Sequence, residues 1–341
     1  MTIERVTISD IARTAGLSKG AVSYALNNKP GVSPETRDRV HAIAEQLGWT
    51  PSSAARSLSR SRADAIGLVL ARPARMLGIE PFYMEFVAGI EDVIAARGIS
   101  LMLHVVDQTS SEIATYEKWG AERRVDGVIL VDISHDDPRI PALQRIGVPA
   151  VAVSSTEAAG GLPHVRTDES HAMQDAMRYL VRLGHRRIAR VGGVPSLSHT
   201  VARDRAFFAE AEVAGLETPV VIETDYSGEA GARATRSLLT ATNPPTAIIY
   251  DNDIMAVAGL GVANELTIGV PSELSLLAWD DSPLCEITHP PLSAMRRDVG
   301  QMGAEAASLL LSVVDGENPA DRAAATPVLY PRGSTGQAPI N

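Results

Sequence analysis

The sequence predicts an α/β protein in which a small helical head and a short linker precede two doubly wound parallel sheets. Three observations carry that expectation. At 341 residues the chain exceeds one ordinary domain of ~100–200 residues. Its basic residues are concentrated at one end of an otherwise acidic chain. From Ala65 onward, short apolar runs alternate with amphipathic helical segments, the pattern of parallel strands joined by crossover helices.

The net charge of −10 taken alone argues against nucleic acid as a partner. Its distribution reverses the argument. Residues 1–62 hold nine Lys or Arg against five carboxylates, a balance of +4, and the remainder carries −14. This is a basic head on an acidic body. A composition with 45% hydrophobic and 21% charged residues is that of a folded protein with material for a core. Cys285 is the single cysteine, which excludes an intramolecular disulfide framework and fits a reducing compartment. No apolar run reaches the roughly 18 residues of a membrane helix, and the start MTIERVTISD lacks an apolar signal core, so the expected location is cytoplasmic, without membrane contact.

The head reads as three short helices. Thr7 with Asp10 forms a capping-box-like start in which the Thr oxygen can satisfy a first-turn amide, and the first helix runs to about Ala15. Gly16 suits a left-handed closing position, and Ser18 caps a second helix over about Lys19–Asn27 after a very tight turn. Ser33 and Pro34 start a third helix, with Val40, Ile43, Ala44 and Leu47 on one stripe and Gly48 at its end. After Pro51 the segment from Ser52 to Leu58 is helix-compatible but only about two turns long, too short to be stable alone. It reads as a linker that folds on a partner.

Beyond it, the expected strands are Ile66 to Leu70, Leu101 to Val106, Val128 to Val131, Val148 to Val153, Ile188 to Gly192, Val220 to Ile222, Ala247 to Tyr250 and Leu274 to Trp279. Met173, Ala176, Met177, Leu180 and Leu183 share one face of an intervening helix. These strands exceed the needs of one small unit, so two sheets are expected, divided near residues 160–165, with facing strand ends forming a ligand cleft. The end RGSTGQAPIN reads as loose, with no heptad tail for a tetramer-forming coiled coil.

Enzyme signatures are scarce: phosphate-loop, dinucleotide, zinc-protease and nucleophile-elbow spacings are all missing. No catalytic residue, metal site or cofactor is assigned. His185 reads as a structural residue at a helix-to-strand turn, and Cys285 as an inert, near-apolar one. Asp280 and Asp281 directly follow a strand, at the rim where open sheets bind ligands, which favours hydrogen bonding over acid–base or metal work. The second head helix carries more. In a helix-turn-helix it enters the major groove, where Lys19 can donate to guanine, Gly20 permits close backbone approach, and Tyr24 reaches a base or phosphate. Ser18, Ser23, Asn27, Ser33 and Thr36 are short donors suited to phosphate oxygens. A small helical bundle with a solvated face is the alternative on spacing alone.

The stretch VTISDIARTAGLSKGAVSYALNNKPGVSPETRDRVHAIAEQLGWTPSSAARSL closely resembles the DNA-binding head and hinge of the lactose-repressor (LacI/GalR) family of transcription regulators. The resemblance continues through GVILV, RLGHRRIARVGG, NDIMAVAGLG, VPSELSLLAWDD and HPPLSAMRRDVGQMG, so it covers nearly the whole chain. It implies a helix-turn-helix domain over 1–50, a hinge helix over 51–62, and a core of periplasmic-binding-protein type over 63–341. The core's N-subdomain is expected at about 63–162 and 292–322, and its C-subdomain at about 163–291 and 323–335. It also implies a homodimer or tetramer on operator DNA. Lys19, Gly20 and Tyr24 fall where the family reads bases, and Ser18, Ser23, Asn27, Ser33 and Thr36 where it holds phosphates. Tyr24 departs from the common Arg, whose bidentate fork selects guanine. Ala55 and Leu58 match the minor-groove hinge, in which the leucine wedges into the central step.

In the core, Phe82, Tyr83, Ser154, Arg203, Tyr226, Asn252, Asp280 and Arg297 align with positions lining the family's effector cleft. The chemistry suits a sugar: Arg203 and Asp280 can each bind two adjacent hydroxyls, Asn252 donates and accepts, and the aromatic rings can cover an apolar sugar face. Core packing is the alternative for Phe82 and Tyr83. Ser154 replaces an Asp found in some sugar-responsive members. The resulting expectation is a repressor of carbohydrate-utilisation genes, released from a near-palindromic operator by a sugar. The closest alternative is a purine- or nucleoside-responsive regulator whose ligand is a corepressor stacked on Phe82 or Tyr83. A free sugar-transport protein would lack the basic head, and an enzyme depending on Asp280 is the weakest reading.

Overall fold

The computed structural model of the chain describes residues 6–49, 62–216 and 219–340, apart from the Arg75 side chain. Two compact units divide between Ala63 and Asp64. The hinge positions Ala55 and Leu58 lie outside the described residues.

The first unit contains α1 (Ile8–Ala15), α2 (Lys19–Leu26) and α3 (Pro34–Gln46). The local chemistry foreseen for each end is present. At the start of α1 Thr7 and Asp10 form a capping box, in which the Asp10 carboxylate accepts from the Thr7 amide at 3.0 Å and from its hydroxyl at 2.7 Å. Gly16 closes α1 in the left-handed region, at φ 65°. Ser18 caps α2 and Ser33 caps α3, each oxygen accepting an amide of the first turn at 3.1 and 3.3 Å. Ile11, Ala12, Ala15, Val22, Ala25, Val40 and Ala44 form the small core, with Ile43, Leu47 and Trp49 packed against it.

The second unit holds two six-stranded sheets. Its strands are β1 (Ala65–Ala71), β2 (Ser100–Val106), β3 (Gly127–Leu130), β4 (Ala150–Val153), β5 (His164–Arg166), β6 (Ile188–Gly192), β7 (Val220–Glu223), β8 (Ala247–Tyr250), β9 (Ser275–Asp280), β10 (Ser293–Arg296), β11 (Arg322–Ala323) and β12 (Val328–Tyr330). The first sheet has the order β11-β5-β4-β3-β1-β2, all parallel. The second has the order β12-β10-β9-β8-β6-β7, parallel except for β12 on its edge. The connecting helices are α4 (Ala74–Leu77), α5 (Pro81–Ile94), α6 (Thr109–Glu122), α7 (Arg139–Ile146), α8 (Glu169–Arg182), α9 (Ser198–Val213), α10 (Gly228–Leu239), α11 (Asp253–Glu265), α12 (Pro283–Ile287) and α13 (Val299–Val314).

Each sheet is covered on both faces, as parallel sheets require. On the first, Ile66, Leu68 and Leu70 pack with Phe86 and Ile90 of α5 and Leu310 of α13, while Val69, Val128 and Leu130 pack with Tyr116 and Trp119 of α6 and Leu143 of α7. On the second, Ile248 and Leu276 pack with Leu238 of α10 and Met255 and Leu260 of α11, and Ile249, Leu277 and Trp279 with Met173 and Met177 of α8 and Phe207 of α9. Helices α5 and α13 approach closely enough that a Cβ on Gly89 would lie 1.8 Å from the Gly300 carbonyl oxygen, and one on Gly303 would lie 2.2 Å from that of Phe86. Glycine is required at that crossing.

Two expectations need correction. The division near 160–165 falls too early, because β5 still pairs with β4 and the chain leaves the first sheet only after Arg166. Likewise β10 lies beside β9 in the second sheet, so the return runs through Arg297 to α13, and β11 closes the first sheet before β12 re-enters the second. Short strands such as HVR and SAMR carry too few apolar residues to stand out in sequence. The C-terminal segment is tied down, not loose. Ser334 is fully buried, its hydroxyl donating to the Leu276 carbonyl at 2.6 Å and accepting from the Ser293 amide at 2.8 Å, and the Ala338 amide donates to the Leu183 carbonyl.

Candidate functional site

In the second unit, the residues at the C-terminal ends of the parallel strands converge on one cleft between the sheets, where open α/β sheets place ligands. Arg72 follows β1, Asp132 comes just after β3, Ser154 follows β4, Asp251 follows β8, Asp280 ends β9 and Arg297 comes just after β10. The inner chamber, about 740 Å³ with part of that volume open to solvent, is also lined by Glu80, Phe82, Tyr83, Glu169, His199, Arg203 and Tyr226. Ser155, Thr167, Glu169, Ser198 and Ala202 also line a wider outer region, where Arg166, Arg205 and His135 are exposed.

The chamber is built on a continuous chain of ion pairs. Arg203, fully buried on α9, donates to Glu169 at 2.7 Å; Arg297 donates to the other Glu169 oxygen at 3.0 Å and to Asp280 at 2.5 Å. Burial alone would raise the Glu169 carboxyl, but Arg203 and Arg297 outweigh it and hold the group at about 2. Arg203 also donates to the Asp251 carbonyl at 3.2 Å and lies 4.2 Å from the centroid of the Trp279 ring. Asp251 is gripped from behind by the Arg190 fork at 2.8 and 2.6 Å.

Across the chamber, Arg72 donates to Asp132 at 3.1 and 3.0 Å and to the Tyr83 hydroxyl at 2.9 Å, and that hydroxyl donates to Asp132 at 2.6 Å. Burial would raise the Asp132 carboxyl; Arg72 together with His199, the Tyr83 hydrogen bond and Arg139 outweighs it and leaves the group low. His199 lies 2.7 Å from the Tyr226 hydroxyl, and burial, helped by Arg203, depresses its imidazole to about 4, so it is neutral at pH 7. Gly193 makes room for this ring: a Cβ there would lie 1.8 Å from Tyr226 Cζ. Asp280 and Asp281 both adopt left-handed backbone, at φ 79° and 65°. That strained turn sends their carboxylates to different partners, Asp280 to Arg297 in the cleft and Asp281 to Arg296 and Arg332.

Seven of the eight expected cleft residues therefore line one chamber; Asn252 stands behind it. Its side chain caps α11 by accepting from the Met255 amide at 3.0 Å, and donates to the Tyr226 carbonyl at 3.0 Å and to Glu80 at 3.4 Å. Arg72, Glu80, Asp132, Glu169, His199 and Asp251 were not foreseen. The usable signal for Arg72, Asp132 and Asp251 is a charged residue just beyond the C-terminal end of an apolar run. His185 is a satisfied core histidine, with Thr246 and Ser275 hydroxyls at 2.9 and 3.0 Å from its two ring nitrogens, and burial lowers its basicity. Burial raises the Cys285 thiol, which donates to Asp253 at 3.1 Å, leaving it unreactive.

In the first unit, Val22 and Ala25 anchor α2 in the core while Lys19, Gly20, Tyr24 and Asn27 are exposed and Ser23 is half-buried. Nothing beyond the Ser18 hydroxyl at 3.9 Å approaches a Cβ built on Gly20, so packing does not demand glycine there. Ser18 and Ser33 spend an oxygen lone pair on helix capping, which leaves the Ser18 hydroxyl proton available, whereas that of Ser33 points to Thr36 Oγ1 at 3.1 Å. Asn27 donates to the Ser23 carbonyl at 2.8 Å.

A helix-turn-helix head on an α/β core with a charged interior cleft defines a DNA-binding transcriptional regulator with a small-molecule domain. Residues 7–52 match the bacterial regulatory proteins of the lacI family, and residues 177–335 match the periplasmic binding protein-like domain. The HTH-type transcriptional regulator CelR of Thermobifida fusca is 31% identical over 327 residues, covering 92% of this chain and 93% of that protein. The structure of a transcriptional regulator CelR-cellobiose complex superposes with a TM-score of 0.73 at 29% identity, covering 97% of this chain and 100% of that one. The lac repressor dimer bound to operator and the anti-inducer ONPF shares the fold at a TM-score of 0.86 and 23% identity, over 98% of this chain and 100% of that one. The chain belongs to the lacI family of bacterial transcriptional regulators.

Proposed function

We propose that the chain is a repressor that binds a near-palindromic operator as a homodimer and is released when a sugar fills the cleft. The observation that carries the ligand reading is the Arg203–Glu169–Arg297–Asp280 chain, whose fixed polar groups face a chamber with the Phe82 and Tyr226 rings on its walls. Charged groups already paired with one another can hydrogen-bond sugar hydroxyls without an unpaired charge being buried. Continuity of the chamber with the outer region favours a sugar of two or more rings. The likeness to a cellobiose-bound regulator supports the same class.

On the DNA side, Lys19, Gly20 and Tyr24 are the proposed base-reading face, and Ser18, Ser23, Asn27, Ser33 and Thr36 hold phosphates. Their exposure on and around α2 supports this, Ser23 and Thr36 being the half-buried members. Ala55 and Leu58 are assigned to the minor groove by the family resemblance. Closure of the two subdomains on the sugar would alter the paired hinges, and linkage requires that a ligand favouring one state shift DNA affinity reciprocally. The nucleobase reading is weakened at Tyr83, whose ring is buried and whose hydroxyl is held by Asp132 and Arg72; Phe82 remains available to stack.

The deciding experiment selects operator sequences from random DNA with the full chain, then screens mono- and disaccharides, purines and nucleosides by thermal shift and by release of that DNA. A disaccharide that stabilises the protein and releases the DNA supports the proposal. A purine that stabilises it and tightens DNA binding overturns it.

A further inference from the structure

Five carboxylates line the inner chamber, and four of them are tied to guanidinium groups: Asp132 to Arg72, Glu169 to Arg203 and Arg297, Asp251 to Arg190, and Asp280 to Arg297. Glu80 is the exception among the described residues. It is only 8% exposed, its carboxylate accepts a single hydrogen bond among the described residues, the 3.4 Å contact from Asn252, and although it occupies the N-cap position of α5 it caps no amide. A buried carboxyl left this poorly satisfied is costly to the fold and uncommon. The three arginines of the inner chamber are each ion-paired with a carboxylate, although Arg203 Nη2 makes no hydrogen bond, so Glu80 is the one carboxylate lining the chamber that has no arginine partner among the described residues.

The groups facing Glu80 come from every element around it. Arg72 lies beyond β1 and is neutralised by Asp132; Asp280 approaches from β9, Asn252 from the start of α11, and Tyr83 from its own helix. Two of these neighbours are anions. Burial and those anions oppose ionisation more strongly than Arg72 favours it, and the Glu80 carboxyl is pushed up to about 7. Donor groups supplied by a ligand reverse that balance.

We propose that Glu80 determines the specificity of the effector cleft by accepting hydrogen bonds from donor groups of the bound molecule, so that the site takes polyhydroxylated ligands lacking phosphate or carboxylate and couples their uptake to release of the Glu80 proton. This rests on the reading of the cleft as the effector site. On binding, the O–H bond of the protonated Glu80 breaks, the proton leaves to solvent, and the carboxylate retains the electron pair and accepts from the ligand. Because the binding-competent fraction sets apparent affinity, a group titrating near 7 makes binding about tenfold tighter at pH 8 than at pH 6.

The test uses the full chain, E80Q and D280N. Without ligand, thermal unfolding of E80Q is expected to occur above wild type by a margin that widens from pH 5.5 to pH 8, because the folded chain resists an ionisation of Glu80 that the unfolded chain permits. A lower E80Q melting temperature at pH 8 would mean that ionised Glu80 supports the fold, and overturns the proposal. With cellobiose, raffinose, glucosamine and glucose 6-phosphate as probes, a neutral or amino sugar is expected to bind the wild type more tightly at pH 8, and E80Q to lose that dependence. Cellobiose or raffinose responding identifies hydroxyl donors; glucosamine alone identifies an ammonium. Tightest binding of glucose 6-phosphate refutes the specificity. Should no probe bind, the unfolding comparison decides. If D280N abolishes binding while E80Q keeps both affinity and pH dependence, the role of Glu80 fails alone. If both variants bind like wild type, the cleft reading itself fails.

Discussion

Replacing Glu169 by Gln removes one negative charge from between two guanidinium groups and leaves its shape intact. The amide oxygen can still accept from Arg203 or from Arg297, but the amide nitrogen then points N–H donors at the other. Glu169 is 3% exposed, so bulk solvent compensates little. Two routes give the magnitude. Removing one partner of a buried ion pair costs about 3–5 kcal/mol. The Glu169 carboxyl is held at about 2 against an ordinary 4.5, and at about 1.36 kcal/mol per unit that depression corresponds to about 3 kcal/mol. Because the folded-state value is depressed, the contribution is complete above pH 4.5 and is lost as pH falls toward 2. Calorimetry at pH 7 should therefore show E169Q melting roughly 5–10 °C below wild type, with the gap narrowing in acid. The fluorescence of Trp279, on which Arg203 stacks, should change as well. An E169Q protein within about 0.5 kcal/mol of wild type at pH 7 would refute the ion-pair chain as a structural element of the cleft.

Further outcomes follow from other parts of the molecule. Gly193→Ala forces the Tyr226 ring to move, because its Cβ would lie 1.8 Å from Cζ; overpacking of about 1–3 kcal/mol and loss of sugar binding are expected, measured by unfolding and by titration. Lys19→Ala should weaken operator binding by about 1–3 kcal/mol and relax preference at one base pair if Lys19 reads a base; a uniform loss across sequences, with a salt slope smaller by about 1, would assign it to phosphate. Ser334→Ala removes the hydroxyl that links Leu276 to Ser293 and should cost about 1–3 kcal/mol in urea unfolding, whereas a loose terminus would give no change. The depressed basicity of His185 means that the fold loses stability as pH falls below the ordinary histidine value of 6.5, so unfolding midpoints should drop between pH 7 and 5, and less so in His185→Gln.

The sequence discloses what is periodic or locally capped. The strand Ala247–Tyr250 was readable to the residue because both faces of a parallel sheet are buried and the run is apolar throughout, and Ile188–Gly192 was readable from the apolar residues on either side of its buried Arg190. The caps at Ser18 and Ser33 were readable because a hydroxyl one residue before a helix has one economical use. The short strands β5, β10, β11 and β12 were not, since runs of two to four residues are too brief to show an apolar pattern. The tail was misread for a related reason: Ser334 is polar and yet fully buried, satisfied by partners more than forty positions away. In the cleft, Arg203, Asp280 and Arg297 were visible through resemblance, but Glu169, which joins Arg203 to Arg297, sits in a helix start where an acidic residue is ordinary. Its role depends on a contact across 34 positions with Arg203 and 128 with Arg297, which no local pattern encodes.

The proposed function requires one coupling, in which occupancy of the cleft changes the affinity of the protein for DNA. The direct measurement is fluorescence anisotropy with the selected operator and the full chain, comparing the DNA dissociation constant with and without the disaccharide that stabilises the protein most. Wild type should show a ratio of about 5–150, the usual span of allosteric coupling, and Asp280→Asn a ratio near one at the same sugar concentration. An undiminished ratio in Asp280→Asn, or a ratio of one in wild type saturated with the sugar, would contradict it.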